Sequence, residues 1–95
     1  MLPITKITSN IKRDFQGLKF KSDTSFYWSS TVNTVLHKPI KKVSDLWLLM
    51  HEIAHAELSH HNYTLDIELI RLEANAWQHA SQNIAPKYNL KIDND

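Results

Sequence analysis

The sequence predicts an α+β fold, a small antiparallel sheet packed on two helices that follow it in the chain. Three observations carry this expectation. Aromatic and β-branched residues gather between Leu18 and His37 in short runs separated by turn chemistry. Leu46 to Leu58 is apolar on both sides of a helical wheel, as a helix buried on two faces must be. A second helical period runs from Leu65 to about Ile84, and Pro86 closes it. Ninety-five residues, 42% hydrophobic and 22% charged, describe one folded domain spanning 1–95 rather than a disordered chain.

Taken in order, Pro3 followed by Ile4, Ile7, Ile11 and Phe15 reads as a short amphipathic helix, with Gly17 placed to end it. Leu18 and Phe20 alternate with lysines, the pattern of a strand, and Ser22-Asp23-Thr24-Ser25 is turn chemistry. Phe26 to Trp28 and Val32 to His37 supply two further strands, with Pro39 closing the region. Ser44 is the expected N-cap of the next helix, and Asp45 falls in the first turn, where the helix dipole favours it. Trp47, Leu48, Ala54 and Leu58 lie on one side of that helix and Leu46, Leu49 and Ile53 on the other. After His60-His61-Asn62, Thr64 can cap the second long helix. Lys87 to Asp95 reads as a tail or a short added strand.

The overall charge narrows the partners. Net charge is +1, and the densest basic group, Lys38, Lys41 and Lys42, has the composition of a solvated loop, so no direct nucleic-acid partner is expected. The chain has no cysteine, which favours a reducing, cytoplasmic setting and leaves His, Asp and Glu as the only strong metal ligands. Met1 to Asn10 lacks the pattern of a signal peptide, and no apolar run approaches a membrane span.

The sharpest motif is His51-Glu52-Ile53-Ala54-His55, an H-E-x-x-H run inside the apolar helix. Residues four apart lie one above the other on a helix, so both imidazoles aim at one point, as two ligands of a zinc ion must. Glu52 is offset by about 100° around the helix, where it can reach a metal-bound water without being a ligand. That is the position of a general base.

A tetrahedral zinc with two histidines needs a third protein ligand and keeps one position open. Glu73 is favoured, because Leu69, Ile70, Ala76, Trp77 and Ala80 place it on the apolar side of the second helix. A carboxylate there is costly unless paired or bound to metal. Arg71 projects to the opposite side, Glu68 shares the polar face with Arg71, and Asp66 sits near the helix start. His61 is the rival, at the distance from His55 that three-histidine zinc peptidases use. Those proteins require glycine where Leu58 stands and a later methionine turn, and the only methionines here are Met1 and Met50.

Leu48 to His55, the histidines just beyond, and Glu73-Ala74-Asn75-Ala76-Trp77 together resemble the ImmA/IrrE family of zinc metallopeptidases, which pairs H-E-x-x-H with an E-A-N-x-aromatic segment on the next helix. The matched positions run from Leu48 to Trp77. Ala54 stands where many relatives have glycine, and Trp77 replaces the usual phenylalanine. The resemblance implies a compact zincin-like domain, His51, His55 and Glu73 as zinc ligands, and Glu52 as catalytic base. It also implies a protein or peptide substrate such as a DNA-binding repressor, and segments completing the cleft of longer relatives have no counterpart in these 95 residues. The competing expectation is a small zinc-binding interaction or regulatory module without turnover. Tyr63, His60, His61 and His79 are the candidates for stabilising an oxyanion.

Overall fold

The computed structural model describes residues 2–58 and 66–92, with the backbone alone for 66–69. Its elements are α1 (Ile4–Asp14), β1 (Lys19–Ser22), β2 (Tyr27–Ser29), β3 (Thr34–His37), α2 (Val43–Glu57) and α3 (Asp66–His79). A π turn (Ala80–Ile84) and a 3₁₀ turn (Ala85–Tyr88) continue from α3. The α+β class read from the sequence is the class observed.

Helix α1 starts at Pro3, whose carbonyl accepts from the amides of Lys6 and Ile7, both at 3.0 Å. Its one buried stripe is Ile7 and Ile11, one turn apart, and these meet α2. The helix ends at Asp14, three residues before Gly17, which has no positive φ and open space around it. The expected glycine stop is therefore not what ends α1. The chain leaves through a turn in which the Leu18 amide donates to the Phe15 carbonyl at 2.9 Å.

The three strands lie where the sequence placed them, but their pairing differs from the expected antiparallel sheet. The order is β1-β3-β2, with β2 antiparallel and β1 parallel to β3. Residues 23–26 carry the chain past the end of β3, where the Asp23 amide donates to the His37 carbonyl at 2.8 Å. Burial explains the arrangement. Thr34, Val35 and His37 are buried and occupy the centre, while β1, with Lys19 and Lys21 exposed, takes an edge that lysine protects from further pairing. Asn33 adopts the left-handed region (φ 52°), and its side-chain amide donates to the Gly17 carbonyl at 2.9 Å, tying the β2–β3 turn to the start of β1.

Helix α2 is sandwiched between the sheet and α3. Leu46, Leu49, Met50, Ile53 and Ala54 are all fully buried, as a helix apolar on two faces requires. Its cap differs from the expected one: the helix begins at Val43, so Ser44 lies inside the first turn. Asp45 caps instead, accepting from the Lys41 and Lys42 amides at 3.0 and 3.1 Å. Ala76, Ala80, Ile84 and Ala85 complete the core from α3 and the turns after it, and Pro86 sits in the first turn of the 3₁₀ segment. Leu90 and Ile92 are buried, so the segment after the 3₁₀ turn packs on the core rather than trailing away, and it forms no strand among the described residues. No helix among the described residues is long and apolar enough to cross a membrane.

Candidate metal centre

The fifteen-residue α2 carries His51 and His55 one turn apart, both buried. Helix α3 crosses them and delivers Glu73. The His51 Nε2 lies 2.8 Å from Glu73 Oε2, and the His55 Nε2 lies 3.0 Å from Glu73 Oε1. The two Nε2 atoms are 3.2 Å apart. Ligands bound to zinc at about 2.0–2.1 Å in tetrahedral geometry are separated from one another by roughly 3.3 Å. The two imidazole nitrogens, 3.2 Å apart, match that spacing, and each faces its own Glu73 oxygen at 2.8 or 3.0 Å, so the donor atoms of all three side chains gather at one place. His51, His55 and Glu73 are thus a group that could hold a metal ion.

Glu73 is less buried than its place in the helical period predicts. Its side chain is 41% exposed, so it is not a carboxylate trapped in the core. What singles it out is aim: each oxygen faces a different imidazole. Arg71 is exposed, and Asn75 and Gln78 are exposed on the polar side of α3, as the helical period requires. The side chains of Asp66 and Glu68, together with His60, His61, Tyr63 and Thr64, lie outside the described residues.

Glu52 is buried at 9% exposure, and its carboxylate accepts from the backbone amide of Trp28 in β2. Burial, reinforced by the negative charge of Glu73, pushes its pKa up to about 7, and the Trp28 hydrogen bond opposes that rise. Burial and the neighbouring His51 push His55 down, while Glu73 pulls the other way.

A measurable consequence follows for the metal-free protein. The folded-state pKa of Glu52 lies above its ordinary value of 4.5, so the native state holds this proton more tightly than the unfolded chain. Its stability cost is absent below pH 4.5, grows as pH rises, and is fully present above about 7. Glutamine mimics the protonated form at every pH. Between pH 4.5 and 8, with chelator present, wild type is expected to lose on the order of 2–3 kcal/mol relative to Glu52→Gln in paired denaturant titrations. A constant difference between the two proteins across that range would contradict the assignment.

Two contacts at the centre lie outside the H-E-x-x-H run. Trp77 stacks on His51 with ring centroids 4.1 Å apart and planes 27° apart. The Trp28 contact to Glu52 is made by backbone, which carries no sequence signal. His79, one of the oxyanion candidates, is engaged elsewhere: its Nε2 lies 3.0 Å from Glu57 and its Nδ1 lies 3.1 Å from the Asn83 side chain. It forms a separate polar link between α2 and the helical turns after α3.

No protein-family model, curated protein or solved structure matches this chain.

Proposed function

We propose that the chain is a zinc-dependent metalloendopeptidase that hydrolyses peptide bonds in a protein substrate. The observation that carries the reading is the convergence of His51, His55 and Glu73, with Glu52 one residue from the first ligand and buried on the same helix. Two imidazoles and one carboxylate suit zinc, and three protein ligands are the number found in catalytic sites that keep a position open. The chemistry a bound zinc supplies is Lewis acidity, which lowers the pKa of a water and polarises the scissile carbonyl.

The chain's own residues do the rest in this reading. Glu52 takes the proton from the attacking water and returns it to the departing amine. The Trp28 amide orients its carboxylate. Strand β2 is a sheet edge beside that carboxylate, and an extended peptide paired to it would lie across the centre. The resemblance to the ImmA/IrrE metallopeptidases points to the same roles and extends them to a substrate class, DNA-binding repressors or other regulatory proteins, in a cytoplasmic setting. It is supported by the fact that the Glu73 to Trp77 segment, which carries half of the resemblance, supplies two side chains to the centre.

The test compares zinc-loaded wild type with Glu52→Gln on a mixture of unfolded proteins, reading new peptide termini by mass spectrometry. Termini that appear with wild type and vanish with the variant support the proposal. Bound zinc with no termini from either protein would favour the interaction module without turnover.

A further inference from the structure

The ring of His51 is held from three directions. Its Nε2 faces Glu73 Oε2 at 2.8 Å. The His55 ring meets it edge-on, with centroids 4.6 Å apart and planes at 82°. Trp77 covers it face to face at 4.1 Å. Glu73 and Trp77 are four residues apart on α3, so one helix grips the same imidazole through a carboxylate and an indole one turn on. The first of these contacts is made by a ligand, and the second by the other histidine. The indole is the one contact of the three that lies outside the ligand set.

We propose that Trp77 is a positioning residue for the metal, acting through His51; this rests on the metal-site reading above. Rotation of an imidazole about its last side-chain bond has broad wells, so a ligand ring keeps its plane only if neighbours fix it. An indole stacked at 4.1 Å, its plane 27° from that of the imidazole, limits tilt of the ring toward it. It also favours the bound state, because an imidazole that donates to a dication becomes more positive and the indole face attracts positive charge. An aromatic face over a group that gains positive charge changes affinity by about 2-fold at an exposed site and about 30-fold where water is excluded, as it is around the buried His51.

The experiment is a competition titration of metal-free protein with Zn²⁺ alone against a chromophoric chelator at neutral pH, using wild type, Trp77→Phe and Trp77→Leu. Leucine keeps an apolar side chain but no aromatic face, whereas phenylalanine keeps the face. Circular dichroism melts of the metal-free forms confirm folding, and Trp77→Met serves as a second non-aromatic filler should the leucine variant not fold. The expected result is that Trp77→Phe stays within about threefold of wild type while Trp77→Leu or Trp77→Met weakens zinc binding by about 10–30-fold. Equal affinity in all variants would overturn the inference, and so would an equal loss in Trp77→Phe and Trp77→Leu, which would mean that indole packing rather than stacking matters. A wild type that binds no zinc would instead sink the metal-site reading itself.

Discussion

Glu52→Gln is expected to leave zinc bound and to lower peptide hydrolysis by about 10²–10⁴-fold, the usual contribution of a positioned general base. Glutamine has the shape of the protonated glutamic acid and can still accept the Trp28 amide, so the local packing survives. Glu52 is not among the three residues whose ligand atoms converge, so the ligand set is intact. The change therefore removes proton transfer and little else. Steady-state cleavage assays with zinc content measured on the same samples separate the two effects. Full activity in a zinc-replete Glu52→Gln variant would show that another group takes the proton.

Glu73→Ala is expected to weaken zinc binding by about 100-fold or more, since it deletes one of three ligands and leaves two imidazoles to hold the ion alone. The loss should be visible in stability as well as in titration. A ligand at 100 times its dissociation constant stabilises the folded state by about 2.7 kcal/mol, so zinc that raises the wild-type melting temperature should scarcely move that of the variant. His61→Ala provides the contrast. If His61 were the third ligand, that variant would lose the metal and Glu73→Ala would keep it. The opposite order is expected, because the Glu73 oxygens sit at 2.8 Å from the His51 nitrogen and 3.0 Å from the His55 nitrogen.

Much of this centre was legible in the sequence, and what was legible was periodic. Four-residue spacing on a helix brings two rings to one point whatever the rest of the fold does, so His51 and His55 could be placed from the motif alone. Glu73 could be assigned to the face that meets them, but its burial could not be judged. Exposure depends on what covers the helix, and at 41% this carboxylate is half in solvent. Trp77 could be placed on the same side of α3, yet its stacking on His51 rather than His55 is set by how two helices cross.

The same divide runs through the fold. The strands were visible as local composition, whereas their order depends on which strand is apolar enough to be central. Thr34 to His37 won that place over the lysine-bearing β1. Asp45 rather than Ser44 caps α2, because a carboxylate one turn into a helix can reach back to two amides at once. Leu90 and Ile92 could not be assigned to the core from a stretch that also contains Lys87 and Lys91. Isolated apolar residues beyond a proline show no period to read.

The most direct test of the central claim is the metal content of wild-type protein purified without chelator, measured by elemental analysis alongside protein concentration. Close to one zinc per chain is expected, removable by chelator and restored by adding Zn²⁺. Protein that is folded and monodisperse yet carries no zinc, and takes up none when it is supplied, would contradict that claim.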